Sequence, residues 1–245
     1  MNTSALILTA ALLTCCYCMG PMPTFIIRCN IQLPSFNNCL SNAIQHAIIQ
    51  MVVPIPDYDL PVIDPFKVPS PAVYGDARTG LRQNYTNIEV FGLTNINSTS
   101  ATFNPASGVL SINITYNAVF FTFDYGIYGR FITIPMNTIS RNSSILLVNP
   151  TFELTFNLQE VVRNGTVYFR AVNSTLYMVP QQTIFNYTKV FDDQWQNDAL
   201  NAKINQNGND ALNYLLELFP HFYTQYFMVW FNNILRRVPA QNFFD

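Results

Sequence analysis

Charge is the scarcest ingredient of this chain. Lys, Arg, Asp and Glu make up 11% of its 245 residues and the formal net charge is −2, against about 25% charged residues in an average domain. No basic run exists that would follow a phosphate backbone, which excludes nucleic acid as a partner. Histidine is limited to His46 and His221, too few ligands for a metal site, and no cofactor is expected. There is no Gly-x-Ser-x-Gly elbow, and two histidines leave a Ser-His-Asp set few choices, so the chain does not read as an enzyme. The apolar run at residues 222–231 is broken by Thr224 and Gln225 and is too short to span a bilayer. Transient contact of aromatic residues with a membrane is the most this pattern allows.

What is abundant is apolar surface: 49% hydrophobic and 14% aromatic residues. Solubility must then come from uncharged polar groups or from sugar. Asn84, Asn97, Asn113, Asn142, Asn164, Asn173 and Asn186 each open an Asn-x-Ser/Thr sequon and are candidate glycosylation sites. Residues 1–20 read as a secretory signal, with a short apolar core at residues 5–13 and small residues up to Gly20. That leaves residues 21–245 as a single secreted, extracellular domain. Cys15, Cys16 and Cys18 fall in the signal, so Cys29 and Cys39 remain. An even pair in a secreted chain points to a disulfide closing a small loop, the alternative being two buried free thiols.

Three regimes follow one another along the chain. Residues 36–53 have helical spacing (Phe36, Leu40, Ile44, Ala47, Ile48, Met51), with Ser35 placed to cap the start and Pro54 to stop it. Next comes "IPDYDLPVIDPFKVPSP", whose prolines exclude a helix or a central strand and whose apolar residues would dock it on the body of the protein. From about Ile88 to Val179 the period becomes two. In "LSINITYN", Leu110, Ile112, Ile114 and Tyr116 share one face; in "TFELTFNLQ", Phe152, Leu154, Phe156 and Leu158 do. Breaks at "NPASG", "RNSS" and "RNG" predict turns of an antiparallel meander with one apolar face. Helical spacing returns from about Asp192 to Val238, as one helix of roughly forty residues and about 60 Å. Pro220 would kink that helix and "NQNGN" would be its weak point.

The expected fold class is therefore α+β: an antiparallel sheet curved around a long helix. Periodicity cannot say whether the gap between them is filled or hollow. In order, the chain shows a close cysteine pair before a helix and then "IPDYDLPVIDPFKVP". After these come "VFGLTN", "YGIYGRFITIP" and a closing "NNILRRVPAQNFF". In this the chain resembles the insect takeout and haemolymph juvenile-hormone-binding family over nearly its whole length. The resemblance implies a strongly curved sheet around the helix, an elongated apolar tunnel, and a secreted carrier of terpenoid or fatty-acyl ligands rather than an enzyme. The chain departs from that family in its wealth of asparagine and in lacking glycines after "IPMNTISRN".

The faces select candidate lining residues: Ile44 and Ile48 from the first helix, Ile112, Ile114, Phe152, Leu154 and Phe156 from the strands. Phe219, Phe222, Phe227 and Trp230 come from the second helical region. Tyr116, Tyr125, Tyr128 and Tyr226 are candidate polar contacts, because a phenol among apolar residues seeks a partner. The reading is a monomeric carrier of one small hydrophobic ligand. The alternative is a secreted structural or interaction glycoprotein with a filled core.

Overall fold

The computed structural model describes residues 24–69, 72–76, 80–131, 134–218 and 222–245. The expected signal segment lies outside these residues, as do Phe219 and Pro220. Helix α1 (Phe36–Gln50) carries Leu40, Ile44, Ala47 and Ile48 on its inner side. It ends three residues earlier than its periodicity predicts. The Met51 amide already donates to the Ile48 carbonyl at 3.0 Å, which tightens the last turn, and the residue ahead of Pro54 is biased away from helix. Ser35 precedes α1 but makes no side-chain capping bond. Cys29 and Cys39 are joined as a disulfide with Cα atoms 5.7 Å apart, pinning the first turn of α1 to the segment before it.

The proline segment is neither helix nor free coil. A single 3₁₀ turn at Pro56–Tyr58 leads into Asp59, which has φ +49°. Tyr58, Leu60, Ile63 and Phe66 are all buried, so the segment is docked as its apolar residues predict. Two carboxylates fix it. Asp59 Oδ2 takes both Arg236 and Arg237 at 2.6 Å. Asp64 accepts from the Gly92 amide at 2.9 Å and from the Thr94 amide and hydroxyl at 3.1 and 2.6 Å.

The strands are β1 (Phe66–Lys67), β2 (Ala72–Asp76), β3 (Leu81–Phe91), β4 (Ile96–Asn104) and β5 (Val109–Tyr116). They continue as β6 (Ala118–Phe131), β7 (Ile134–Val148), β8 (Thr151–Arg163), β9 (Thr166–Val179) and β10 (Gln182–Asn186). All pairings between them are antiparallel. They do not form the single curved meander expected, and the sheets are not strongly curled. One sheet has the order β1-β3-β6-β7-β10 with β2 also on β3, and the other is β4-β5-β8-β9. The chain passes between sheets four times, at Gly92–Asn95, Asn117, Asn149–Pro150 and Pro180–Gln181. Gly92 makes the first passage possible: its φ is +91°, and a Cβ there would lie 2.7 Å from the Ala118 carbonyl oxygen.

The alternation predicted for β5 and β8 is present. Leu110, Ile112, Ile114 and Tyr116 are buried, as are Phe152, Leu154 and Phe156. "NPASG" and "RNG" are turns, but "RNSS" lies inside β7. Asn142 takes φ +57° there and donates its amide to Asp124 Oδ1 at 3.2 Å, so a bulge absorbs the turn-like residues without ending the strand.

Helices α2 (Gln194–Asn205), α3 (Gly208–Leu218) and α4 (Phe222–Leu235) replace the expected continuous helix. The break between α2 and α3 falls at Gln206–Asn207, and its cause is packing. A Cβ on Gly208 would sit 2.1 Å from the Thr183 carbonyl oxygen, so α3 starts in direct contact with β10. Helices α2 and α3 cover the open edge of β10 with asparagine carboxamides. Asn205 accepts from the Phe185 amide at 2.7 Å and donates to its carbonyl at 2.8 Å. Asn201 does the same for Tyr187 at 2.8 and 2.9 Å, and Asn197 for Phe191 at 3.0 and 2.6 Å. Asn209 continues the row with the Thr183 hydroxyl at 2.9 Å. Four helical residues rise about 6.0 Å and two strand residues about 6.7 Å. Asn209, Asn205 and Asn201, four apart, therefore meet Thr183, Phe185 and Tyr187, two apart, whereas Asn197 reaches Phe191 beyond the strand. Four of the chain's asparagines are thus structural, and they close this edge to another chain.

The sequon asparagines divide by exposure. Asn97, Asn113, Asn142, Asn164, Asn173 and Asn186 are exposed, whereas Asn84 is half-buried in β3 with its Oδ1 sealed from water. It sits between Val73 of β2 and Gly126 of β6. A glycan there is incompatible with this packing. Glycopeptide mass spectrometry of secreted, folded protein is expected to find Asn84 bare even where the exposed sites carry sugar.

Candidate ligand-binding site

The four-stranded sheet presents its apolar face to α1 and α4, and the core between them is not fully packed. A cavity of about 170 Å³ lies against β5, β8, α1 and α4, and a second of about 130 Å³ lies toward residues 25–29. Their walls have a common origin in helical spacing. Helix α1 contributes Leu40, Ala43, Ile44, Ala47 and Ile48, and α4 contributes Phe227, Trp230, Phe231, Ile234 and Leu235. Both sets step by three and four, so each helix turns one continuous stripe inward. Phe25, Ile44, Ala47, Leu110, Phe231 and Ile234 line both cavities, so little more than side chains divides them. A third, much smaller space of about 10 Å³ under β3, β6 and α4 shares Leu93, Phe152, Phe227 and Trp230 with the larger cavity. No charged side chain is among the residues lining these three spaces.

The small-cavity end is closed by residues far apart in sequence. Cys29 and Phe244 form a parallel bridge, and Arg28 pairs with Asp245 at 2.8 Å. Phe244 stacks on Phe103 with ring centres 5.6 Å apart and planes 7° from parallel. Over the six-stranded sheet, away from the smallest space, three tyrosine rings form a cluster. Tyr85, Tyr125 and Tyr187 pack ring to ring at 4.9 and 5.1 Å. The Tyr125 hydroxyl donates to Gln83 at 3.3 Å, and the Tyr85 and Tyr187 hydroxyls are 3.4 Å apart. Burial pushes these phenols up, Tyr187 to about 12, so they stay neutral hydrogen-bonding groups.

The family model described as haemolymph juvenile hormone binding protein (JHBP) matches residues 7–245. The chain belongs to this family. Its members are binding proteins rather than enzymes. Among solved structures, Takeout 1 of Epiphyas postvittana superposes with a TM-score of 0.75 at 16% identity, covering 89% of this chain and 99% of that one. That is agreement in fold. A lipopolysaccharide binding protein matches at a TM-score of 0.40 and 11% identity, over 82% of this chain and 38% of that one, and nothing further is drawn from it. No curated protein matches the chain.

The candidate residues fall into three groups. Ile44, Ile48, Ile112, Ile114, Tyr116, Leu154 and Phe156 line the larger cavity; Phe152, Phe227 and Trp230 line both it and the smallest space, which Tyr226 also borders. Tyr125 lines none of the three spaces. Its face of β6 points inward, but β3 places it opposite Tyr85 in the tyrosine cluster. The Tyr128 ring instead covers Gly126, where a Cβ would lie 2.8 Å from it. Phe219 lies outside the described residues, and the side chain of Phe222 does too. Sequence reasoning missed Phe25, Leu93 and Phe244. They sit in irregular segments, where no period marks a face.

Proposed function

We propose that the protein is a secreted, monomeric carrier that takes one small hydrophobic ligand out of water into the joined cavities over the four-stranded sheet. Residues 1–20 act as the removed signal, and the cavities open into one elongated tunnel when a ligand separates the side chains between them. The ligand class is a terpenoid such as juvenile hormone or a fatty-acyl lipid. The observation that carries this reading is the run of three apolar spaces that share wall residues. The family name, which is that of a hormone-binding protein, supports it. The two main cavities together reach the lower end of the usual ligand-pocket range of roughly 300–1,000 Å³.

The energetics suffice. Burying a chain of about fifteen carbons gains on the order of 12 kcal/mol at about 0.8 kcal/mol per CH₂. Association takes back several kcal/mol, leaving roughly micromolar to nanomolar affinity. Native mass spectrometry of protein secreted from insect cells and deglycosylated, followed by organic extraction, tests the proposal. A stoichiometric co-purified lipid is expected. An empty protein that takes up neither fatty acids nor terpenoids would overturn the carrier reading.

A further inference from the structure

We infer that the outer face of the four-stranded sheet is a seat for the chain's own sugar: an N-glycan on Asn113 lies across Glu153 and stacks on the ring of Tyr177. The inference rests on the secretory reading and is independent of the ligand. In β5, β8 and β9 the buried residues face the helices, so the residues between them face solvent. The register sets Ser100, Asn113, Glu153 and Tyr177 side by side in one row across all four strands. The next row, Thr102, Ser111, Thr155 and Thr175, carries a hydroxyl on every strand. Glu153 is the one charged residue in these two rows. Tyr177 stands apart from its polar neighbours. It is 63% exposed, and Val179, two residues further along the same face, is 52% exposed. Among the described residues the Tyr177 hydroxyl has no hydrogen-bond partner.

An open aromatic ring with polar groups beside it suits a pyranose. The C–H face of the sugar packs on the π face of the ring, and its hydroxyls donate to the carboxylate and hydroxyls alongside. Asn113 is the sequon placed to supply that sugar. It is exposed and lies in the same row as Tyr177, two strands away. Neighbouring strands are about 4.8 Å apart, so the two backbones are separated by about 10 Å, a span that the first two sugars of an N-glycan cover. On the way the glycan crosses Glu153, which accepts from its hydroxyls. Asn173 shares the face but lies four residues along β9, roughly 13 Å from Tyr177, with no carboxylate between them. A glycan seated from Asn113 gives this face the solvation that charge does not supply in a chain with 11% charged residues. It also hides an exposed ring on which another molecule could settle.

The test is nitration of the intact glycoprotein, secreted from insect cells, by tetranitromethane, read tyrosine by tyrosine in peptide mass spectra. Tyr214 on α3, which is 58% exposed, serves as the internal reference. Tyr177 is expected to react about fivefold more slowly than Tyr214, the degree of cover that one aromatic contact sustains. Asn113→Gln should bring the two rates together, as should enzymatic removal of the glycans, whereas Asn173→Gln should not. In thermal melts Tyr177→Ala should lower the midpoint of the glycoprotein and leave that of the Asn113→Gln protein unchanged. Equal nitration of Tyr177 and Tyr214 in the glycoprotein would overturn the inference, and so would equal losses of midpoint in the two backgrounds. An Asn113 found bare beside occupied sequons, or a Tyr177 unmasked by Asn173→Gln instead, overturns it as well. A chain kept inside the cell with every sequon bare removes the secretory reading and this inference with it.

Discussion

Replacing Asn205 with leucine is expected to lower folding stability by about 2–5 kcal/mol. The estimate follows from leaving two backbone groups without partners at about 1–3 kcal/mol each. Those groups are the amide and carbonyl of Phe185, a residue 3% exposed, which Asn205 satisfies at 2.7 and 2.8 Å. Leucine has no donor or acceptor, and among the described residues no other strand borders this edge of β10. Asn205→Asp keeps an acceptor for the amide but turns an oxygen toward the carbonyl, so it should be nearly as damaging. Replacing the adjacent, exposed Gln206 with alanine should stay within about 0.5 kcal/mol. Urea unfolding followed by circular dichroism separates the three variants. An Asn205→Leu protein as stable as the parent would show that water or a shifted helix can stand in for the carboxamide.

Filling the shared wall should weaken ligand binding about a hundredfold without unfolding the protein. Ala47 lines both main cavities from the last turn of α1. Ala47→Phe pushes a ring into the space between them and excludes about four methylenes of ligand. At about 0.8 kcal/mol per CH₂ that amounts to about 3 kcal/mol, or roughly a hundredfold loss of affinity. Because the ring enters existing space, the stability cost should stay below the roughly 1–3 kcal/mol of overpacking. Ala202→Phe, on the exposed side of α2, is the control and should bind normally. Dye displacement and thermal melts on the two variants check both halves of the prediction. Undiminished binding by Ala47→Phe would place the ligand elsewhere.

Sequence periodicity revealed faces better than partners. The alternation in β5 and β8 placed Ile112, Ile114, Phe152 and Leu154 correctly on the inner side, because burial on one face of a strand imposes a period of two. It could not tell which strands pair, since every strand of either sheet shows the same period. The division into two sheets rests instead on the passages at Gly92, Asn117, Asn149–Pro150 and Pro180, which resemble ordinary turns in sequence. Tyr125 illustrates the same limit: its inward direction was readable, but its place beside Tyr85 required the register with β3. The helical break was visible only as glycine and asparagine in "NQNGN". The four-residue spacing of Asn197, Asn201, Asn205 and Asn209 carried the stronger signal. It is easily overlooked because asparagine counts as polar and therefore as surface. In this chain those side chains do the work of a missing strand.

The bridge between Cys29 and Phe244 also joins the two ends of the described chain. The Arg28 guanidinium donates to the Phe244 carbonyl across 216 positions of sequence, and Cys29 is tied by its disulfide to the start of α1. The small cavity thus has one wall made early in synthesis and another made more than two hundred residues later. Contacts so distant in sequence slow folding, because a long loop must close before they form. On the ribosome, α1 and its disulfide loop emerge with their apolar stripe uncovered and wait for α4 and Phe244. Until those residues arrive the compartment stands open on one side, and a nascent chain stopped short of them would expose its apolar wall.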